Sequence, residues 1–277
     1  MKHDTRSGSM QDSTAQASFT SYAAPLVDAA VSHAAALSAD PDAEVLHKLR
    51  VSLRRLRSLL WAYRPLLNTK FDDEQRALFK FFANAAGKTR DWDILIDLLN
   101  ELDNAGHAPD AALTAARAKA LGASRETLAL ANVKSTLRDA LKEANKELNT
   151  AHVRTSLPKF ARKRLACAQK SLDKRMKRAS RARRSDYASY HEVRKAGKKL
   201  RYLIEFFAPL LAKKQKKTVK DLKKIQKRFG ALNDVIASEA LLRENHEALA
   251  DRADVERAFD ALEKERKRRV RAAAKLL

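Results

Sequence analysis

LHKLRVSLRRLRSLLWAYRPLL, from Leu46 to Leu67, is the stretch that organises this chain, because a second version of it occurs 144 residues later. The second version runs from Tyr190 to Leu211 and reads YHEVRKAGKKLRYLIEFFAPLL. It aligns with the first without a gap, and the histidine, four cations and a closing Pro-Leu-Leu recur in register. A repeat of this kind indicates an architecture built from two related parts.

A shorter motif follows each copy at nearly the same distance. GKTRDWD begins at Gly87 and GALNDVI begins at Gly230, one residue out of step with the longer match. The two motifs occur in the same order in both halves, which indicates an internal duplication of a unit about 140 residues long. We therefore predict two repeat units, at 21–150 and 151–277, after a disordered N-terminal tail at 1–20.

Each copy of the long motif predicts an amphipathic helix with a row of cations beside an apolar stripe. At about 100° per residue, the leucines at every third or fourth position from Leu46 to Leu60 share one face. The cations lie on an adjoining face, and the first copy has no carboxylate between Leu46 and Leu67. Stacked like charges repel each other, whereas a solvated helix usually interleaves Glu with Lys. An anion that offsets the repulsion explains the row better than a solvated charged face does.

Composition favours an all-α protein with a polyanionic partner. Apolar residues make up 45% of the 277, and only 6 Gly and 6 Pro interrupt a chain dominated by helix formers. The net charge of +23 indicates a polyanionic ligand or an anionic surface. This charge is uneven, because residues 1–150 hold 20 Lys and Arg against 19 Asp and Glu, which leaves 37 against 15 for residues 151–277.

Periodicity and helix breakers predict eight helices, four in each unit, and no convincing strand. The predicted helices span about 21–37, 41–64, 72–102 and 110–148, then 157–184, 185–211, 216–249 and 254–276. The single cysteine, Cys167, excludes a disulfide within a monomer and fits a reducing cytosol. No signal peptide and no membrane span is apparent, so we expect a cytoplasmic protein.

The segments HKLRVSLRRLRSLLWAYRPLL and HEVRKAGKKLRYLIEFFAPLL, with GKTRDWDILIDLL and GALNDVIASEALL downstream, resemble the conserved histidine α-helical domain, CHAD. The resemblance covers almost the whole chain, from about residue 20 to residue 277. It implies two four-helix units related by a pseudo-twofold axis, with a basic channel between them. It also implies binding of inorganic polyphosphate and association with polyphosphate granules in bacteria.

Carried over by position, the resemblance assigns phosphate-facing residues in both units. The second unit uses Lys198-Lys199 where the first uses Arg54-Arg55, and lysine lacks the guanidinium fork that grips phosphate bidentately. We therefore expect the second unit to bind more by charge density than by geometry. In the first unit the assigned residues are His47, Arg50, Arg54, Arg55, Arg57, Lys88 and Arg90. In the second unit they are His191, Arg194, Lys198, Lys199, Arg201, Lys224, Lys227 and Arg228.

Three functions remain open at this point. The first is a polyphosphate-binding, granule-associated module without catalysis, and the second is a non-specific nucleic-acid-binding protein that uses the same surface. The third is a phosphate-processing enzyme, which is disfavoured because no nucleophile, P-loop or metal-binding carboxylate pair is apparent. The helix 159–184 holds 12 Lys and Arg against one acid, and it either extends the anion track or contacts nucleic acid.

Other polar and aromatic residues receive structural roles. Cations surround His47 and His191, which disfavours a metal ion there and favours hydrogen bonds from each ring to phosphate. No cofactor is predicted. Asp91 and Asp234 fall at equivalent repeat positions, and we expect each to orient a nearby arginine or to cap a turn. Two further residues, Trp61 and Trp92, are predicted to be core anchors.

Overall fold

The computed structural model describes residues 13–39, 43–102, 111–150, 152–211, 213–246 and 252–277. These residues form helices and no strand, with one isolated bridge between Thr14 and Ser156, so the all-α prediction is confirmed. Two 3-10 turns, Arg64–Leu66 and Ala208–Leu210, follow the second and eighth helices. The α-helices of the described ranges are α1 (Ala15–Ala39), α2 (Ala43–Tyr63), α3 (Thr69–Ala85), α4 (Lys88–Leu102), α5 (Ala111–Leu130), α6 (Val133–Thr150), α7 (Leu157–Arg181), α8 (Tyr187–Phe206), α9 (Lys213–Glu244) and α10 (Arg252–Ala274).

The first helix begins inside the segment that the sequence assigned to a disordered tail at 1–20. Ala15 starts α1, and both Ala15 and Phe19 are buried in the core. The backbone N–H of Ala15 donates to the carbonyl oxygen of Thr155 at 2.7 Å, which fixes the start of α1 against the segment between α6 and α7, at the beginning of the second predicted unit. Polar neighbours conceal this apolar spacing in the sequence. The tail prediction is therefore wrong for 15–20, and 1–12 lies outside the described residues.

The predicted helix at 72–102 is two helices, α3 and α4, separated at Gly87. The guanidinium of Arg50 lies over this turn, where a Cβ built on Gly87 would stand 2.9 Å from Cζ of Arg50. The backbone N–H of Gly87 donates to Asn84 three residues back, at 2.9 Å, which is the tight geometry of a helix end. In the second half, α9 runs through Gly230 without a break.

A second break divides the predicted helix at 110–148 into α5 and α6. Asn132 lies at the junction with a positive φ of 42°, a conformation that asparagine tolerates better than most residues. The prediction of four helices in each unit is therefore wrong for the first half, where α1 to α6 are described, and it holds for α7 to α10. The predicted start of α2, at 40–42, lies outside the described residues.

The cores of the structure join the two predicted units. In the main core, α1 packs on α2 and α6, α7 packs on α8, and α2 contacts α8 where the halves meet. A smaller core joins α4 and α5 to α9 and α10, and Trp92 is buried in it as predicted. Neither half buries its apolar residues alone. None of the helices in the described ranges combines the length and the apolarity that a membrane crossing needs.

Candidate anion-binding site

The cation rows of α2 and α8 line one cavity of about 860 Å³, which we call the basic pocket. The apolar stripe of α2 is buried in the main core, including Leu46, Leu49 and Leu53. The adjoining face therefore has to point into the space between α2 and α8. Nine of the fifteen predicted phosphate-facing residues line the pocket: His47, Arg50, Arg54, Arg57, Arg90, His191, Arg194, Lys198 and Lys199.

Four further cations, which the sequence did not predict as phosphate-facing, complete the walls of the basic pocket. Arg76 and Lys80 come from α3, Arg175 comes from α7, and Lys195 comes from α8. The first two are four residues apart and share a helix face, and Arg175 belongs to the very basic helix. These patterns are visible in the sequence, but only the packing of α3 and α7 against α2 and α8 brings them to the site.

The charge of the basic pocket is strongly unbalanced. Eleven Lys and Arg line it against three carboxylates, Asp91, Glu192 and Asp234, which leaves a formal excess of eight positive charges with neutral histidines. Several of the cations, including Arg54, Arg57 and Lys198, form no ion pair with any described residue. The Nε atoms of Arg57 and Arg194 are buried without a hydrogen-bond partner in the described part of the chain. Unpaired donors of this kind favour an anion.

Burial and mutual repulsion shift the pKa values of the cations in the pocket. Burial, together with repulsion from the neighbouring Arg54 and Arg194, lowers the pKa of Lys198 to about 6. Burial is also the main reason that the pKa of Arg54 falls to about 10 and that of Lys199 to about 8. The protein thus holds these groups where their charged forms are costly in the absence of an anion.

One arrangement of Arg, Asp and Gly occurs twice in the pocket. Arg50 pairs with Asp91 at 3.3 Å, and Arg194 pairs with Asp234 at 3.9 Å. Each arginine also lies beside a glycine of the shorter motif, Gly87 for Arg50 and Gly230 for Arg194. The expectation that both aspartates orient an arginine is confirmed. The recurrence explains why an aspartate belongs to the shorter motif in both halves.

The two histidines lie in the pocket with lowered pKa values. Burial is the main cause for both, and nearby arginines and lysines add to it, so each ring is predominantly neutral at neutral pH. In His191, Nδ1 lies 2.5 Å from Oδ1 of Asn233, which orients the ring. In His47, Nδ1 is buried and has no partner among the described residues. A neutral imidazole donates one N–H. His47 can give it to a phosphate oxygen, whereas His191 already gives it to Asn233 and donates to phosphate through Nε2 only when the ring is protonated.

Six of the predicted residues lie outside the basic pocket. Arg55 and Arg201 both pair with Glu205, at 3.2 Å and 3.3 Å, where α2 crosses α8. Arg55 is about 100° around the helix from Arg54, which takes it away from the row. Lys88 and Lys227 are exposed, Lys224 pairs with Asp221, and Arg228 donates to the carbonyl oxygen of Ala272.

Trp61 packs against the main core, as predicted, and it also forms a wall of the pocket, which was not predicted. The guanidinium of Arg164 lies 4.2 Å from the centroid of its ring, and Nζ of Lys199 lies 4.3 Å from the same centroid. Both distances are in the cation–π range. The ring therefore holds one cation of the pocket in place. In the described ranges, no group of three His, Cys, Asp or Glu side chains could hold a metal ion.

Comparisons with known proteins agree on a family and a fold. The family model of the CHAD domain matches residues 21–243. The structure is similar to the crystal structure of the CHAD domain from the plant Ricinus communis, with a TM-score of 0.73, 25% identity, and coverage of 96% of this chain and 93% of that chain. It is also similar in fold to PptA from Streptomyces chartreusis, with a TM-score of 0.65, 15% identity, and coverage of 95% and 96%. No curated protein matches this chain in sequence.

Proposed function

Because this chain belongs to the CHAD family, we propose that its basic pocket binds inorganic polyphosphate and catalyses no reaction on it. The observation that supports this most directly is the set of partly buried cations without a carboxylate partner in the described residues, with Arg54 and Lys198 at its centre. Repulsion among these groups is relieved when a dense anion enters. Guanidinium groups also supply the paired donors that suit phosphate oxygens.

The dimensions of the pocket favour a thin polyanion over a duplex. A cavity of about 860 Å³ has the size of a small-ligand site, whereas a B-DNA duplex is wide enough to admit an α-helix into its major groove alone. The aromatic surface of Trp61 in the pocket already carries Arg164 and Lys199, so it does not offer a free face for a base. Polyphosphate is narrow, flexible and charged at every unit, and it meets the charge of the pocket without requiring a base site.

Granule association follows from the same binding. A polyphosphate chain is longer than the pocket, so one segment can enter the pocket while the remainder stays in a granule. Binding of this kind would hold the protein at the granule surface in the cytoplasm without a membrane anchor. The pocket would then act as a targeting site, and each granule would carry many equivalent attachment points.

Two neighbouring arginines provide the test of the proposed function. Arg54 lines the pocket, whereas Arg55 pairs with Glu205 outside it, so the two substitutions remove the same charge from the same helix. We expect Arg54→Ala to weaken binding of long-chain polyphosphate at least tenfold, from charge-assisted bonds worth about 1.5–3 kcal/mol each. Arg55→Ala should change the affinity for long-chain polyphosphate less than threefold. Equal losses in the two variants would show that net charge alone drives binding.

The same titrations separate the remaining alternatives. A DNA duplex should not displace polyphosphate from the pocket at equal phosphate concentration and physiological salt, because the duplex does not fit the cavity. Equal competition would favour nucleic acid as the ligand of this site. Incubation with polyphosphate and a divalent metal ion should release no phosphate, and measurable release would establish the phosphate-processing function instead.

A further inference from the structure

A second row of cations lies on the outer face of α7. Six residues fall within about 60° of one another around the helix axis, and all six side chains are exposed. The row is about 33 Å long at 1.5 Å per residue. We call it the α7 row, and it consists of Lys159, Lys163, Lys170, Lys174, Lys177 and Arg181.

The α7 row faces away from the basic pocket and is unpaired. The pocket-lining residues of the same helix, Ser171 and Arg175, lie roughly 90–130° around the axis from the middle of the row. No member of the row forms an ion pair with a carboxylate in the described ranges, whereas Arg175 pairs with Glu192 at 3.3 Å. The one acid on the helix, Asp173, flanks the row and accepts a hydrogen bond from Gln169. The row is thus a separate cationic surface.

We propose that the α7 row binds the backbone of duplex nucleic acid, as a second polyanion site that is independent of the basic pocket. Its length of about 33 Å is close to one turn of a duplex, at about 34–36 Å. Five of the six cations are lysines, which act as point charges and suit contacts with phosphate that do not read sequence. An exposed convex helix can approach a wide, stiff duplex that the concave pocket excludes.

The composition of α7 argues against two other partners. Single strands usually stack their bases on aromatic side chains, and the only aromatic residue of α7, Phe160, is buried. A helix that inserts into a membrane surface presents large apolar side chains next to its cations. The exposed large apolar residues of the described chain, Phe81, Leu130 and Val153, lie outside α7. These two arguments leave a polyanion that is bound through its phosphates alone. Among such polyanions, a nucleic-acid duplex is the rigid one.

The test compares two fourfold variants of the full-length protein with equal loss of charge. The α7 variant replaces Lys163, Lys170, Lys174 and Lys177 with Gln. The control replaces Lys70, Lys119, Lys134 and Lys142, which are exposed on α3, α5 and α6 and do not line the pocket. Each variant is titrated against a 20-base-pair DNA duplex, and anisotropy measures the affinity over a range of salt concentrations. Circular dichroism checks that the helices are retained.

We expect the α7 variant to lose at least tenfold in affinity for the duplex and the control to lose less than threefold. The salt dependence should also decrease by a slope of about 3–4, because each phosphate contact contributes about 0.9. Duplex binding should persist when the pocket is filled with tripolyphosphate and in Arg54→Ala. Duplex binding that persists under both conditions supports the α7 row as the duplex site, even if the pocket binds something other than polyphosphate.

Three outcomes would overturn the proposal. In the first, the α7 variant binds the duplex as tightly as the unmodified protein. In the second, it loses as much affinity for long-chain polyphosphate as for the duplex, which would make the row an extension of the polyphosphate track. In the third, it keeps its duplex affinity but loses binding to vesicles that contain phosphatidylserine, which would assign the row to an anionic membrane surface.

Discussion

The Nζ atom of Lys199 lies 4.3 Å from the centroid of the Trp61 ring, across the crossing of α2 and α8. Arg55 is the counterpart of Lys199 in the first copy, and it pairs with Glu205, the counterpart of Trp61, at 3.2 Å. In each copy, the residue at the position of Arg55 and Lys199 contacts the residue at the position of Trp61 and Glu205 in the other copy. This reciprocal contact is the relation that a twofold axis produces. The chemistry differs, because one contact is a cation–π pair and the other is an ion pair. Only the cation–π contact borders the basic pocket.

The contact between Lys199 and Trp61 should matter for binding through the placement of the lysine. We expect Trp61→Leu to lower polyphosphate affinity about two- to fivefold, which corresponds to the 0.5–1 kcal/mol of an exposed cation–π contact. Trp61→Phe keeps an aromatic face and should recover most of the loss. Isothermal titration with long-chain polyphosphate measures both variants. An unchanged affinity in Trp61→Leu would mean that Lys199 does not need the ring.

The two glycines of the shorter motif should differ in their tolerance of a methyl group. A Cβ at Gly87 would lie 2.9 Å from Cζ of Arg50 and 3.1 Å from the backbone oxygen of Ala83, whereas a Cβ at Gly230 would lie 3.9 Å from Nε of Arg194. We expect Gly87→Ala to displace Arg50 and to weaken polyphosphate binding about three- to tenfold. Gly230→Ala should bind within twofold of the unmodified protein. A larger loss at Gly230 would contradict the role assigned to the turn between α3 and α4.

Binding should depend on pH through Lys198. Its pKa is about 6 in the empty pocket, and a bound phosphate raises it, so binding takes up a proton between the two values. Affinity should therefore fall as pH rises above 6, by up to about tenfold per pH unit for one proton. Titrations between pH 6 and 8 at fixed ionic strength measure the slope. Heats in buffers of different ionisation enthalpy give the number of protons taken up.

Lys198→Arg is the matched control for this pH dependence. A guanidinium stays charged across the range, so the variant should show a smaller slope and less proton uptake than the unmodified protein. His47 and His191 also gain protons at low pH, but they are present in both proteins and do not affect the difference. Identical slopes in the two proteins would assign the pH dependence to the histidines or to Lys199, whose pKa of about 8 also lies in this range.

The burial of Lys198 should cost stability in the empty protein. We expect Lys198→Met to raise the free energy of unfolding by about 1–3 kcal/mol at pH 7 and to weaken polyphosphate binding at least tenfold. The unfolded chain binds more protons than the folded one between the folded pKa of about 6 and the ordinary value near 10.4. The stability of the unmodified protein therefore rises with pH over that window, and the gain from Met should shrink towards pH 10. Urea denaturation of both proteins at pH 7 and pH 9.5 measures the difference in their free energies of unfolding. A difference that stays the same at both pH values would contradict the low pKa of Lys198.

The sequence predicts the cation rows well because their positions follow from helix periodicity. His47, Arg50, Arg54 and Arg57 have one phase around α2, and all four line the pocket. Arg201 has the same phase on α8 and still lies outside it. Glu205, four residues further along α8, forms an ion pair with the guanidinium of Arg201 at 3.3 Å. The spacing of the cations alone does not predict this ion pair. The first copy has Trp61 at that position, so Arg57 has no such partner.

The rest of the site depends on tertiary packing. Arg76, Lys80 and Arg175 join the pocket because α3 and α7 pack beside the two motif helices, and no local pattern fixes that arrangement. The break at Gly87 has a similar origin. A glycine within a helical pattern is compatible with a continuous helix, as Gly230 shows in α9. The guanidinium of Arg50, contributed by a different helix, occupies the space beside the turn at Gly87.

The low pKa of Lys198 has a chemical consequence beyond binding. With a pKa of about 6, roughly nine in ten of these amines are uncharged at pH 7, whereas an ordinary lysine near 10.4 is uncharged in fewer than one in a thousand molecules. An uncharged amine is a nucleophile. Acylating reagents should therefore modify Lys198 ahead of the many exposed lysines of this chain when the pocket is empty. A bound phosphate chain would raise the pKa of this amine, so that it takes up a proton from solvent, and would also shield it. The extent of its acylation therefore measures how much of the protein carries ligand.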